Sequence, residues 1–518
     1  MHIPPGKHEE VLESAVFLYV LLIAFPYAAC YNGREVPVSD GRGRIPAGEE
    51  RFCHLCVGSW GSARYALIFL PFEGETMNRR RFRLNAVQNL VVSFACLILA
   101  GALLLMLPIS SRDGQCLPFL DALFTSASAS CVTGLTLYDT MTQFTLFGQA
   151  VLIVLIQIGG LSFMTVSILV ALLLHRRIGL HRRSVLMDSV GALQMGGVVR
   201  LTRRALLVTA ACEGTGAVLM SLWFCPRYGL LQGLWMSLFH AVSAFCNAGF
   251  DLLGGGTSLI PIAGEPLPNI VIMALITCGG LGFLVWDDIL TNGRHLRRYR
   301  LHSKIMLTVT AVLIVGGAAG FYVLERENAF AGASAGDRVL MSFFQSVTTR
   351  TAGFFSVDQA SLSESGTLLT MVLMFIGAGS GSTGGGIKVN TFTVILLSAF
   401  ALTFRREDVN IYHRRLDQED IRKAFSSVCA YFTTCIVGCM VLCVEGIALD
   451  DALFESISAI GTVGLSRGVT ASLPDLSKVV ITLLMFAGRV GSMSVAMAIT
   501  PDHPRPKLRN VSEKILIG

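Results

Sequence analysis

A thirteen-residue pattern that occurs four times constrains this chain more than any other feature. Ala122 to Gly134 reads ALFTSASASCVTG, and Ser237 to Gly249 reads SLFHAVSAFCNAG. Met341 to Gly353 reads MSFFQSVTTRTAG, and Ala452 to Gly464 reads ALFESISAIGTVG. The four align without a gap, with an aromatic at the third place (Phe124, Phe239, Phe343, Phe454) and glycine at the thirteenth. Near-even recurrence marks a repeat architecture built from one supersecondary unit. Each copy is too short, and too rich in Ser, Thr and Gly, to cross a bilayer, which takes about 20 apolar residues. Each is flanked by two stretches that are long enough. The unit is therefore span, half-helix with a glycine-ended turn, span. The expected fold is an all-α polytopic membrane protein, with four pseudo-repeats of helix–pore half-helix–helix around a central ion pore.

Composition points the same way. Of 518 residues 53% are hydrophobic and only 15% charged, where soluble domains carry roughly 25% charged. The small basic excess, 41 Lys and Arg against 35 Asp and Glu, sits in short loops between hydrophobic hairpins, where basic residues set topology. It is not interleaved with aromatics as single-strand binders require, so no nucleic-acid partner is expected. Most of the 14 cysteines, such as Cys96, Cys278, Cys435 and Cys439, lie in apolar spans or pore segments and read as small hydrophobes. Cys53-x-x-Cys56 lacks the second half of a zinc site. No triad, metal cluster or paired-carboxylate setting is present, and no enzyme is expected.

The chain divides into residues 1–76, 77–200, 201–303, 304–423 and 424–518. The first part is an extension of uncertain role that contains one apolar candidate, Val11 to Cys30; a compact basic start follows at Met77. Repeat 1 runs Val87 to Leu107, pore segment, then about Phe147 to Leu174. Repeat 2 has spans at about Arg204 to Cys225 and Leu267 to Leu290. Repeat 3 has them at about Lys304 to Leu324 and Gly366 to Phe404, and repeat 4 at about Ala424 to Ala448 and Ser477 to Ile499. Every inter-repeat loop is basic, whereas acids (Asp121, Asp251, Asp358, Asp450, Asp451) flank the pore segments. The positive-inside rule then sets both ends of the core in the cytoplasm and the glycine ends outside.

A half-helix that enters from outside and turns back leaves its last carbonyls unpaired. In lipid this is tolerable only where the backbone lines an aqueous cavity. There such carbonyls replace the hydration shell of a monovalent cation, and the helix C-terminus adds partial negative charge. Four walls of one filter follow: Cys131, Val132, Thr133, Gly134; Cys246, Asn247, Ala248, Gly249; Arg350, Thr351, Ala352, Gly353; and Gly461, Thr462, Val463, Gly464.

Two further features lie in the second helices. Gly377 to Gly386, GAGSGSTGGG, interrupts the third, at a cost of up to about 1 kcal/mol per glycine relative to alanine. It does not match a phosphate-binding loop, because Ile387 separates Gly386 from Lys388 and Val389 follows. Irregular backbone at this depth reads as a gate below the filter. Weaker breaks are expected at Gly159-Gly160, Gly279-Gly280 and Gly488. Arg489, lone and mid-span, must face the interior and is expected to repel cations and anchor the loop carbonyls. The gate reading covers Gly379, Ser380, Gly381, Ser382, Thr383, Gly384, Gly385, Gly386, Lys388 and Arg489.

From about residue 80 onward, these segments and hairpins resemble the Trk/Ktr/HKT superfamily of potassium transporters. The resemblance implies that glycine at all four thirteenth places selects K+. It likens Gly377–Gly386 to the family's intramembrane gating loop, sets Arg489 toward the pore, and lets Arg350 brace the filter from behind. Asn510 to Gly518 resembles the C-terminus of the Ktr-type membrane subunit. A homodimer resting on a cytoplasmic RCK-type ring is implied, with nucleotide acting only through that partner and no covalent cofactor. The location implied is the cell membrane. A sodium-selective or poorly selective transporter of the same fold, or a Trk-type subunit, remains the alternative.

Overall fold

A computed structural model describes residues 86–161 and 198–499, together with Glu513. The N-terminal extension, the basic stretch after Leu174 and all but one residue of the C-terminal segment lie outside the described residues.

Among the described residues, four groups of helices follow one another. The first holds α1 (Ala86–Leu105), α2 (Phe119–Ser130), the short α3 (Thr140–Gln143) and α4 (Leu146–Leu161). The second holds α5 (Val198–Tyr228), α6 (Leu230–Cys246), α7 (Pro266–Gly280) and α8 (Phe283–Asn292). In the third are α9 (Leu301–Leu324), α10 (Ala335–Thr348), α11 (Glu364–Phe375) and α12 (Val389–Thr403). The fourth has α13 (Gln418–Val444), α14 (Leu449–Gly461), α15 (Asp475–Val490) and α16 (Ser492–Ile499). A hairpin of β1 (Asn410–Ile411) and β2 (Arg414–Arg415) joins α12 to α13. Side-chain oxygens of Ser334, Ser363 and Asp417 cap α10, α11 and α13, satisfying backbone donors that have no partner within the helix.

The all-α polytopic expectation holds. Among the described residues α1, α5, α9 and α13 are each long and apolar enough to cross a membrane unbroken. Their outward sides carry exposed Leu103, Leu222, Val315 and Met440, as a lipid-facing surface requires. On the inward side, each of these helices meets its partner at a glycine. A Cβ on Gly101, Gly216, Gly317 or Gly438 would lie 2.7, 2.6, 3.0 or 2.6 Å from Leu155, Leu275, Leu373 or Leu484 respectively. Small residues allow the close backbone approach that packs helices in lipid.

In the second and fourth groups the second helix is interrupted just past the glycines singled out in the sequence, and in the third at the glycine-rich loop. Gly159, Gly279 and Gly488 all lie inside helices. A Cβ at any of them would collide with the carbonyl of Ser130, Phe245 or Ile460, in each case the ninth place of a pore segment. These glycines are seats for pore-helix ends rather than breaks. The actual bend in the second group is 93°, between α7 and α8, at Gly282 with φ +94°. In the fourth it is at Gly491, with φ +96°.

The pore helices α2, α6, α10 and α14 sit innermost, each with a phenylalanine that has no exposure: Phe124, Phe239, Phe344 and Phe454. Phe343, the third-place aromatic of the ungapped alignment, is 38% exposed. The third segment has therefore lost one residue between its phenylalanine and its glycine. At the turn, the twelfth-place amide bonds back five residues in three copies: Thr133 to Ser128, Ala248 to Ser243 and Val463 to Ser458. In the third copy Ala352 bonds back four, to Thr348. The tighter closure absorbs the missing residue and rotates α10 by about 100° relative to the simple alignment.

Candidate ion-conduction pathway

The four glycine-ended turns meet in a ring. Val132, Asn247, Thr351 and Thr462 all have left-handed backbone, with φ of 57°, 60°, 70° and 48°. Two residues later Gly134, Gly249, Gly353 and Gly464 have φ of 96°, 71°, 81° and 89°, a region costly to any residue with a side chain. Space excludes a side chain as well. A Cβ on Gly134 would lie 2.6 Å from the Ala248 oxygen, and one on Gly249 2.8 Å from the Gly353 Cα. One on Gly353 would lie 2.9 Å from the Val463 oxygen, and one on Gly464 2.9 Å from the Gly134 Cα. Each glycine thus abuts the next segment, and the fourth closes on the first. Cys131 and Cys246 are fully buried, and Gly461 is the last residue of α14.

A hydroxyl from each pore helix fastens its own turn. Ser128 and Ser458 accept from the Gly134 and Gly464 amides, both at 3.1 Å. Ser243 donates to the Phe250 carbonyl at 2.7 Å, and Thr348 donates to that of Phe354. Residue-by-residue reading missed these four. The signal was a hydroxyl at the seventh place in three copies, displaced by one in the third for the reason given above.

Beneath the ring lies the loop between α11 and α12. It folds on itself, with the Gly377 amide donating to Ile387 at 2.9 Å and that of Ala378 to Gly385 at 3.2 Å. It is also bonded to the bend in the second group. The Gly379 amide donates to Gly280 and the Phe283 amide to Gly381, both at 2.9 Å. Thr383 Oγ1 donates to the Phe245 carbonyl at 3.0 Å. A Cβ on Gly384 would strike the Thr351 hydroxyl, and one on Gly385 that of Thr462. The glycine content therefore lets this loop press directly against the underside of the ring, which explains residues that propensity alone would reject.

Three basic side chains converge on the loop. The Arg489 guanidinium donates to the Thr383 carbonyl, to Gly159 at 2.5 Å and to Gly160 at 3.0 Å. It thereby ties the loop to α4 on another wall. Lys388 donates to Gly384 at 2.7 Å and to Gly385 at 3.3 Å. Arg350 reaches Gly377 at 3.5 Å. This bond ties the third turn, in which Arg350 stands, to the root of the loop.

Sequence comparison now identifies the chain. The profile of the TrkH family, described as cation transport protein, matches residues 70–511. The chain belongs to the TrkH family. Relatives of this TrkH-family chain include the potassium/sodium uptake protein NtpJ of Enterococcus hirae, 39% identical over 448 residues, covering 85% of this chain and 99% of the relative. Another is the Ktr system potassium uptake protein B of Bacillus subtilis, 41% identical over 416 residues, covering 80% and 92%. The crystal structure of the potassium transporter TrkH from Vibrio parahaemolyticus superposes with a TM-score of 0.66 at 17% identity, covering 82% of this chain and 87% of that one. The last match establishes the fold. The chain is a multi-pass membrane protein of a cation-uptake family, a transporter and not an enzyme.

Above the ring this TrkH-family chain opens into a funnel of about 390 Å³. Asp139, Asp251 and Asp358 line it, and cavities of one charge sign concentrate counter-ions. Asp139 was absent from the acids singled out in the sequence. The remaining acids of that set are engaged elsewhere: Asp121 with Lys478 at 2.7 Å, and Asp450 and Asp451 with Arg467 at 2.7 and 3.0 Å. Loss of water around the half-buried Asp251 carboxyl, reinforced by the charge of Asp139, pushes its pKa up to about 6.

Proposed function

We propose that this protein takes up potassium down its electrochemical gradient through a filter of backbone carbonyls supplied by the four turns. The ring of four glycines, each at positive φ and each abutting the next segment, carries the reading. A dehydrated cation needs several oxygens at once, and four copies of one turn around one axis supply them. The loop under the ring, held by Lys388 and Arg489, is the gate, and the Arg489 charge is a barrier to cations in the closed state. The Asp139, Asp251 and Asp358 funnel is the extracellular mouth. In this reading the chain comprises pore repeats at 77–200, 201–303, 304–423 and 424–518, with the ends of this core in the cytoplasm. A homodimer on a cytoplasmic nucleotide-binding ring, as the Ktr-type resemblance implies, completes this reading, with control of the gate exerted in trans. The name of the Enterococcus relative, a potassium/sodium uptake protein, favours sodium as a second cargo.

Two measurements bear on this reading. A cell deficient in potassium uptake should grow at low external potassium when it expresses this chain with a regulatory ring. Absence of rescue, with the protein present in the membrane, would count against uptake. External pH gives a second check. As pH falls through about 6, Asp251 takes up a proton and the mouth loses negative charge. Uptake at subsaturating potassium should fall over that window by about twofold to threefold, as expected for the loss of one charge near a cation path. Asp251→Asn should remove most of that dependence; an unchanged pH profile would show that the acid has no part in it.

A further inference from the structure

The place after each buried phenylalanine of the pore helices holds a polar residue: Thr125, His240, Gln345 and Glu455. The correspondence becomes visible only when the third copy is aligned on Phe344. Buried polar side chains in lipid-embedded protein are costly unless bonded, and three of these four bond to the limb that climbs from the glycine ring to the outer surface. His240 Nε2 accepts from the Leu252 amide at 3.3 Å, while its Nδ1 meets the Met236 carbonyl at 2.7 Å. Gln345 and Gln359 form a reciprocal amide pair, at 2.7 and 3.2 Å. The Glu455 carboxyl accepts from the Ser466 hydroxyl, and from Thr470 Oγ1 at 3.1 Å to both oxygens. In the first copy Thr125 turns back on its own helix, donating to the Asp121 carbonyl at 2.8 Å. There the tie is made from one turn earlier, by Asp121 to the Tyr138 hydroxyl at 2.6 Å.

Each limb is therefore held at two levels, by a hydroxyl at the glycine and by a second clasp beyond it. His240, Gln345 and Glu455 have no exposure and are absent from the lining of the funnel, so direct contact with an ion there does not account for them. A free-standing turn could widen or narrow by tenths of an ångström, which is the scale that separates the coordination shells of two alkali cations. A limb pinned at both levels cannot follow the smaller ion.

We propose that His240, Gln345 and above all Glu455 are positioning residues that hold the outer limbs of the ion filter and so set its discrimination among monovalent cations. Glu455 leads because its carboxyl takes two separate hydroxyls of the limb, Ser466 and Thr470, where His240 takes a single limb amide. The proposal rests on the filter reading given above.

The test compares rubidium and sodium flux into proteoliposomes for wild type, Glu455→Ala, Glu455→Gln, Thr470→Val and Gln359→Leu. The rubidium-to-sodium ratio should fall by about tenfold in Glu455→Ala, the effect of losing one strong hydrogen-bonded anchor. Glu455→Gln, whose amide oxygen still accepts from both hydroxyls, should stay within about threefold of wild type. Thr470→Val and Gln359→Leu should move the ratio in the same direction as Glu455→Ala. They also read the clasp from the limb side should the alanine variant fail to fold. A merely structural role would lower the amount of protein or the maximal flux and leave the ratio unchanged. Wild-type ratios in Glu455→Ala and Thr470→Val would overturn the proposal. Were wild type itself without preference, the potassium reading would fail, and the clasp would be judged by half-saturation for rubidium. Glu455→Ala should raise that concentration if the clasp positions the filter, and an unchanged value would overturn it.

Discussion

Replacing Arg489 by Ala is expected to raise cation flux through the unregulated protein by about tenfold or more, because the loop loses charge-assisted bonds worth about 1.5–3 kcal/mol each. The guanidinium joins the Thr383 carbonyl of the loop to Gly159 and Gly160 of α4. With alanine in its place nothing spans that gap. A loss of about 2 to 3 kcal/mol in the closed state shifts a two-state equilibrium by about 30- to 150-fold, so even partial compensation by Lys388 leaves a large change. The local positive charge also disappears, and with it a repulsive term for any cation below the ring. Arg489→Lys separates the two contributions. It retains the charge but not the planar fork that reaches two walls at once, and should fall between alanine and wild type. Tracer influx into vesicles provides the measurement. Equal flux in all three proteins would remove Arg489 from the gate.

The second large effect concerns the ring. Gly464→Ala is expected to lower potassium-over-sodium discrimination by about tenfold or more, since a side chain at such φ costs about 1–2 kcal/mol by itself. A collision is added to that cost: the new Cβ would run into the Thr133 carbonyl oxygen, itself a candidate ligand, and would lie 2.9 Å from the Gly134 Cα. Gly446, with φ +93° and nothing near its missing Cβ, is the control. Gly446→Ala carries the same backbone strain without the collision, and should reduce stability while leaving the flux ratio alone. Serine at Gly134 or Gly249 should act like Gly464→Ala, to the extent that neighbouring segments can shift. An unaltered ratio in all of these variants would detach the glycines from selectivity.

The fold was legible because the recurring turns and the lipid-length helices are both written locally, in glycine placement and in hydrophobic length. Register across the pore was not. Phe343 and Phe344 are equally hydrophobic, and only the closure of Ala352 onto Thr348, instead of five residues back, decides which one enters the core. Glycines misled for a related reason. Gly159, Gly279 and Gly488 carry the same composition signal as a helix break, but their missing side chains make room for the carbonyls of Ser130, Phe245 and Ile460. A lack of Cβ serves bending and close approach alike, and one chain read alone cannot separate the two. The lone arginine was easier: a charge amid apolar residues has few tolerable destinations. Its partners, at Gly159, Gly160 and Thr383, are carbonyls that any sequence possesses, so no residue type announced them.

Asp251 and Glu455 show a parallel limit among the acids. Asp251 follows Gly249 by two residues and Glu455 precedes Gly464 by nine; one faces the funnel and the other is bound behind it. Asp251 was among the acids expected to flank the turns on the outside, whereas Glu455 was not singled out. Asp251 stands on a limb itself, whereas Glu455 stands on a helix beneath its limb and is taken up by the limb's Ser466 and Thr470 hydroxyls, a property of packing between elements rather than of either element.

Four glycine turns from one chain, if they form the proposed filter, should prefer potassium. The most direct measurement is initial flux of rubidium and of sodium into proteoliposomes that contain the purified wild-type protein, under identical gradients and with Arg489→Ala alongside to hold the gate open. Rubidium flux should exceed sodium flux by about tenfold or more in both proteins, a margin of about 1.4 kcal/mol at the filter. Equal fluxes of the two ions through both proteins would contradict the filter reading.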